Sequence, residues 1–324
     1  MAHTVFKVNN ITKVFGKHVV LKDLTFDINA GEIFGIIGTS GSGKTTLLNT
    51  IIGFLRPEIG NILFREEHLL NFKDEDAFVS VSEKPFDLKR IIGFAAQTPS
   101  FYGELTALEN LEYFGTLHGL SYDALRTNIN TLLKLMELEE FKNTKSKNLS
   151  GGMARRLDIA CALVHDPKVL ILDEPTADLD PILRNHIWKL IQKINNKGTT
   201  IILSSHLLNE IELLCHRIAI LHEGTIIDIG TMEEIKNKFS KNEEIHIETY
   251  PGNYKELAKL ADADIARIEN KGHELVIYTK KPSKVLKLML SKIETMNEKI
   301  IDLKVNKPSL DDVFMSLAKK KEEK

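Results

Sequence analysis

Eight residues constrain this chain more than any others. Gly38-Thr39-Ser40-Gly41-Ser42-Gly43-Lys44-Thr45 matches G-x-x-x-x-G-K-[ST], and it joins the apolar run Glu32 to Ile37 to a helical pattern that starts at Lys44. A loop of this kind needs a buried strand to deliver it and a helix to leave it. Its glycines let successive backbone N–H groups converge on phosphate oxygens, and the helix N-terminus adds a favourable dipole. Lys44 would then reach the β- and γ-phosphates, and the Thr45 hydroxyl would ligate Mg²⁺. Taken alone, the segment also reads as a Gly/Ser loop capping a helix; its strand–loop–helix setting favours the nucleotide.

The surrounding pattern suits such a junction. Phe6 and Val8 alternate with polar residues, Val19 to Ile28 forms a second candidate strand, and Gly60 to Phe64 a third. Leu47, Leu48, Ile51 and Ile52 fall at helical spacing until Gly53 stops the run. Arg65 to Lys89 is polar and charged, which predicts a weakly structured surface insertion. Ile91 to Ala95 is strand-like, and Leu105 to Phe141 carries apolar residues at helical spacing. A helix over about 152–164, a strand at Val169 to Leu172, a helix at Ile182 to Ile194 and a strand at Thr199 to Ser204 follow. Strands alternating with helices predict a mostly parallel sheet covered on both faces.

Val169-Leu170-Ile171-Leu172-Asp173-Glu174 is an apolar run ending in two carboxylates. It suits a central parallel strand beside the phosphate loop, with Asp173 supporting Mg²⁺ and Glu174 polarising a water that attacks the γ-phosphate. On its own the pair is simply an acidic turn.

Leu149-Ser150-Gly151-Gly152-Met153, about twenty residues before that strand, narrows the choice. It resembles the L-S-G-G signature of ATP-binding cassette (ABC) proteins, although S-G-G before a helix is also a plain N-cap. Gln97 resembles the Q-loop glutamine, Ala177-Asp178-Leu179-Asp180 the D-loop, and Ser205-His206 the switch histidine. Phe15, in Val14-Phe15-Gly16, stands where the family has an aromatic that stacks on adenine. The resemblance covers about residues 4 to 236. It implies an ABC ATPase fold of the P-loop NTPase class: a mostly parallel core sheet, antiparallel N-terminal strands and a helical subdomain at about 100–163.

The resemblance also implies roles. Gly38 and Thr39 to Thr46 would bind the phosphates of ATP, while Gln97 would sense Mg²⁺ and the attacking water and touch a membrane partner. Ser150, Gly151 and Gly152 would contact the γ-phosphate bound to the opposite protomer. Asp173 would support the metal with Thr45 and Gln97, Glu174 would act as base, His206 would hold the γ-phosphate, and Asp180 would link the two sites. There are two departures. Phe15 replaces the more frequent Tyr and lacks its hydroxyl, and the stretch Arg65 to Lys89 is longer than the usual connection. Arg155 and Arg156 fit equally a solvated helix face and a role in positioning the signature. His165, His216 and His222 show no ligand spacing.

Near Lys236 to Glu244 the chain turns charged, so the ATP-binding domain is expected over 1–238 and a second domain over 243–324. Strand 245–249, helix 253–262, strands 264–270 and 273–279, helix 283–294 and strand 299–305 give βαββαβ, the ferredoxin-like pattern of a small α+β domain, followed by a helix from Ser309. Lys307-Pro308-Ser309-Leu310-Asp311-Asp312-Val313-Phe314 resembles the ending of drug-resistance and sodium-extrusion exporter subunits.

The 324 residues carry 43 Lys plus Arg against 45 Asp plus Glu, so net charge gives no reason to expect nucleic-acid binding. The longest apolar runs fall far short of the roughly 20 residues of a membrane span, and two cysteines outside any C-x-x-C suit reduced thiols. Together with these limits, the resemblance implies a cytoplasmic ATPase subunit, peripheral to the membrane through a separate permease. It would work as a nucleotide-dependent homodimer or paired with a second ABC subunit. The rival class is a non-transport ABC ATPase, of the translation or DNA-repair kind; those usually carry two cassettes or long coiled coils, and this chain has neither.

Overall fold

The computed structural model describes residues 3–65, 78–239, 243–259 and 262–306. The chain divides between Thr231 and Met232 into two compact units, one helix earlier than the composition change suggests. In the first unit β1 (Thr4–Phe15), β2 (His18–Asn29), β3 (Ile33–Ile37), α1 (Lys44–Ile51), β4 (Ile59–Arg65), β5 (Phe78–Ser80), α2 (Pro85–Ile91) and β6 (Ile92–Ala95) come first. Three helices follow, α3 (Ala107–Leu117), α4 (Tyr122–Leu135) and α5 (Gly151–Leu163). The unit closes with β7 (Val169–Asp173), α6 (Pro181–Asn195), β8 (Thr200–Ser205), α7 (Leu208–Leu214), β9 (Arg217–His222) and β10 (Thr225–Thr231).

These strands make two sheets. β2-β1-β4-β5 is antiparallel, and β10-β9-β3-β8-β7-β6 is parallel except for its edge strand β10. Every residue of β3, β7 and β8 is buried, as in a sheet covered on both faces. Leu47, Leu48 and Ile51 of α1 join one core with Phe6 and Phe64 of the antiparallel sheet and Phe34, Ile171 and Ile202 of the parallel one. Burying each such side chain contributes about 1.5–3 kcal/mol, so the helix leaving the phosphate loop is firmly anchored. Gly53, at φ 78°, ends it as the pattern implies. The helical subdomain starts with a capping box, Thr106 with Glu109, and its α3, α4 and α5 pack on one another.

The structure differs from the sequence reading in three places. β8 runs between β3 and β7, so the carboxylate strand reaches the phosphate loop one strand removed. The stretch from 78 onward is structured: β5 extends the antiparallel sheet, and α2 has Pro85 in its first turn, Asp87 near its start, Lys89 and Arg90 near its end, and Leu88 and Ile91 buried. Residues 66–77 of the expected insertion lie outside the described residues. The β9–β10 hairpin was not expected, although Glu223-Gly224 between two β-branched runs is a two-residue hairpin signal. Both turn residues have positive φ, 45° and 73°.

The second unit holds α8 (Met232–Phe239), β11 (Glu243–Tyr250), α9 (Tyr254–Leu257), β12 (Ile265–Asn270), β13 (Leu275–Thr279), α10 (Pro282–Thr295) and β14 (Lys299–Asn306). Its sheet runs β12-β13-β11-β14, all antiparallel, which is the ferredoxin-like order. Tyr254, Leu257, Val285, Met289 and Ile293 of the two helices cover Ile245, Ile247, Leu275 and Ile277. The expected helix 253–262 is a single turn, and the segment from Lys307 lies outside the described residues. Among the described residues no helix is long and apolar enough to cross a membrane.

Candidate functional site

Strand register decides which residues meet. Ile37 of β3 stands opposite Ser205 of β8, and Ser204 opposite Asp173 of β7. The residues that follow, Gly38, His206 and Glu174, therefore emerge side by side at the C-terminal edge of a parallel sheet, where ligands of α/β folds bind. There they border a cleft of about 490 Å³, lined by Ser40, Gly41, Gly43, Lys44, Thr45, Thr46, Gln97, Glu174, His206 and Val20.

The loop around this cleft is built for close approach. Gly41 and Gly43 have φ of 79° and 105°, which L side chains rarely adopt, and a Cβ on Gly38 would lie 2.3 Å from the Leu221 carbonyl oxygen. The Lys44 ammonium, 5% exposed, donates to the carbonyls of Gly38 (3.0 Å) and Thr39 (3.2 Å), and lies 3.3 Å from Glu174 Oε1. The other oxygen of Glu174 is 3.0 Å from His206 Nδ1. Glu174 itself sits at φ 46°, with its N–H donating to both the carbonyl and the Oγ of Ser204. A non-glycine residue in that region is strained, and strain of this kind gathers at functional sites. Behind it, Asp173 is buried and accepts from Ser204 Oγ at 2.5 Å.

These residues fit a nucleotide triphosphate with Mg²⁺. Ser42 Oγ is buried without a partner. The metal donors on offer, the Thr45 hydroxyl, the Gln97 amide oxygen and the Asp173 carboxylate, are all hard oxygens. No group of three or more His, Cys, Asp or Glu among the described residues could hold a metal by itself. That is the donor set of an ion held by one or two protein ligands and by substrate phosphates.

Comparison with known proteins shows the family. A family profile described as "ABC transporter" matches residues 21–177, and one described as the C-terminal domain of DrrA1-3-like ATP-binding proteins matches residues 230–318. The chain is 31% identical over 314 residues to the linearmycin resistance ATP-binding protein of Bacillus subtilis strain 168, covering 95% of this chain and 96% of that protein. The chain belongs to the ATP-binding subunits of ABC transporters. It is also 34% identical over 320 residues to the Nod factor export ATP-binding protein I of Rhizobium leguminosarum bv. viciae, covering 97% of this chain and 94% of that one. A dimeric ATP-binding cassette solved in a post-hydrolysis state with ADP and phosphate superposes with a TM-score of 0.58 at 31% identity, over 70% of this chain and 98% of that one.

Not every expected site residue of this cassette borders the cleft. Ser150 caps α5, its Oγ accepting from the Met153 N–H; Gly151 is exposed with open space around it, and Gly152 is buried against Leu183. None of the three lines the cleft of its own chain. Asp180 caps α6 by accepting from the N–H groups of Ile182 and Leu183. Phe15, 47% exposed at the β1–β2 turn, faces the Lys13 ammonium at 5.2 Å, while Val20 beyond the same turn lines the cleft.

Buried polar residues behind the cleft were missed by the sequence reading. Arg155, half-assigned to a solvated face, is 6% exposed and bonded to backbone at the ends of β6 and β7. Glu210 is fully buried, accepts from Thr176 Oγ1 and Trp188 Nε1, and has its pKa pushed up by burial. Nothing in Glu210-Ile211-Glu212 separates the buried carboxylate from the other one before the fold is known. The two cysteines are free, and Gly35 in the middle of β3 leaves the room that Cys215 Sγ occupies.

Proposed function

We propose that this cassette hydrolyses ATP for an exporter, as a dimer with ATP at the interface, on the cytoplasmic face of a membrane spanned by a separate permease. The observation that carries the chemistry is the Glu174 carboxylate held between Lys44 and His206 at the mouth of the cleft. A γ-phosphate entering the loop competes for the Lys44 ammonium and the His206 imidazole. That frees the Glu174 oxygens to orient a water and take its proton. Mg²⁺, when bound, would supply charge neutralisation for the triphosphate, and Thr45, Gln97 and Asp173 would be the residues that hold it. Lys44 and the N–H groups of residues 39–46 hold the charge that develops on the phosphates.

Dimerisation is supported by the position of the signature. Ser150, Gly151 and Gly152 do not line their own cleft, so their helix N-terminus can offer donors to a γ-phosphate only across an interface. The similar cassette bound to ADP and phosphate is itself dimeric. Export is supported by the relatives, which are named for linearmycin resistance and Nod factor export, and by the family of the second unit. Affinity purification from membranes tests the reading: a multi-span membrane protein should copurify, and inverted vesicles should accumulate its substrate when given ATP. A chain recovered only with ribosomes or DNA would contradict it.

A further inference from the structure

We infer that the buried pair Arg155–Asp158 on α5 is the positioning device that sets Gln97 and Glu174 for hydrolysis and ties both to the signature helix. This rests on the roles proposed above for those two residues. The Arg155 guanidinium donates from Nη1 to the Ala96 carbonyl (2.6 Å) and to Asp158 Oδ2 (3.1 Å). Its Nη2 donates to the Asp173 carbonyl (3.1 Å) and its Nε to the Pro175 carbonyl (2.9 Å). Asp158, 1% exposed, accepts at Oδ1 from both the N–H (2.9 Å) and the hydroxyl (3.0 Å) of Ser100.

The acceptors and donors fall in a telling pattern. Ala96 and Ser100 flank the loop Gln97-Thr98-Pro99, and Asp173 and Pro175 flank Glu174. A single ion pair thus grips the backbone on both sides of both residues. It does so from the first turns of the helix whose N-terminus is the signature Ser150-Gly151-Gly152. A pair that only fastened α5 to the sheet would need one of these bonds. Burying two charges is also a poor way to gain stability, since apolar residues of similar volume often do as well. A planar guanidinium, in contrast, holds several carbonyls in fixed directions at once, which a lysine ammonium on a flexible stem cannot. Displacement of α5, as when a partner's phosphate meets the signature, would therefore move Gln97 and Glu174 together.

The test uses the full-length chain with Arg155→Lys, Asp158→Asn and Glu174→Gln, and Arg155→Lys combined with Glu174→Gln. Arg155→Lys should lower kcat by roughly 10- to 100-fold while KM for ATP stays within about threefold, because the phosphate loop is untouched. Adding it to Glu174→Gln should lower the residual rate by less than about threefold, since residues acting as a unit are not additive. Should Arg155→Lys not fold, Asp158→Asn carries the same comparison: its Oδ1 still accepts from Ser100, while the NH₂ that replaces Oδ2 cannot accept from Arg155 and breaks the pair. Near-normal kcat, a parallel change in kcat and KM, or a full multiplicative loss on top of Glu174→Gln would overturn the inference. Failure of Glu174→Gln itself to slow hydrolysis would instead sink the proposed function.

Discussion

The two units treat polar side chains in opposite ways. In the first, Lys44, Arg155, Asp158, Asp173, Thr176, Ser204 and Glu210 are all below a tenth exposed, and they gather where the parallel strands end. In the second, the buried polar residues among those described are Thr249, Thr279 and Glu298, and they tie turns. Thr279 Oγ1 donates to the Asp264 carbonyl, and Glu298 accepts from the Asn253 N–H and the Thr249 hydroxyl. Lys304 pairs with Asp302 in solvent, and Lys284 reaches Asp264 with an exposed ammonium. Burying charge is costly unless it is paired and hydrogen-bonded. The first unit bears that cost for a cluster of charges beside its cleft, whereas the second buries a single carboxylate, Glu298, among its described residues.

The comparison breaks first at Glu174. Glu174→Gln should bind ATP yet hydrolyse it at least ~100-fold more slowly, about 2.7 kcal/mol or more of barrier, and should accumulate as an ATP-bound dimer. Steady-state turnover near the wild-type rate would remove the Glu174 carboxylate from catalysis.

Acid should find His165 of the first unit next. His165 is held neutral, its pKa lowered to about 4 chiefly by burial and then by His118, whose ring stacks on it at 3.6 Å. Its Nε2 lies 2.9 Å from the Ile92 carbonyl, and its Nδ1 is buried without a partner. The folded pKa lies below the unfolded value, so the unfolded chain binds more protons as pH falls. The stability is therefore complete above the unfolded pKa near 6.5 and is lost between that value and about 4. The loss should total about 2–3 kcal/mol over that window. In urea unfolding at pH 7 and pH 5, His165→Phe should flatten the pH dependence; an unchanged slope would exclude His165 as its source.

At the adenine end the effect should be smaller. Phe15→Ala should weaken ATP binding by about 1–3 kcal/mol, the range for a base stacked on an aromatic ring, while inorganic triphosphate binds as before. Equal losses for both ligands would make Phe15 a structural residue. Smallest of all is an exposed ammonium in the second unit. Lys284→Ala, which removes one cation from Asp262 and Asp264 and leaves Lys281 on Asp264, should leave the melting temperature unchanged within error. A clear drop would mean that the second unit depends on charge after all.

Local signals were readable and tertiary ones were not. The strand, loop and helix around Gly38 to Thr45 could be read because each residue's job is done by neighbours in sequence, and βαββαβ implied the sheet order of the second unit for the same reason. The β9–β10 hairpin and α2 had local signals, Glu223-Gly224 and Pro85 with Leu88 and Ile91, hidden in polar surroundings. Arg155 had none. Whether an arginine on α5 faces solvent or the ends of β6 and β7 depends on where those strands stop against the helix, and only the assembled sheet fixes that. The placement of β8 between β3 and β7 is likewise a matter of strand order, which no residue of β7 announces.

The central claim is that each ATP is hydrolysed by residues of two chains, and a mixing experiment addresses it most directly. Lys44→Ala removes the cation from the phosphate loop. Gly151→Asp adds a carboxylate at the signature, where a Cβ meets nothing within 4 Å in its own chain. Each variant alone should be inactive. A heterodimer of the two gathers both defects in one composite site and leaves the other with an intact Lys44, Glu174 and signature. ATP hydrolysis should therefore recover in part on mixing. No recovery, with the heterodimer shown to form, would mean that each chain uses its own signature and would contradict the account.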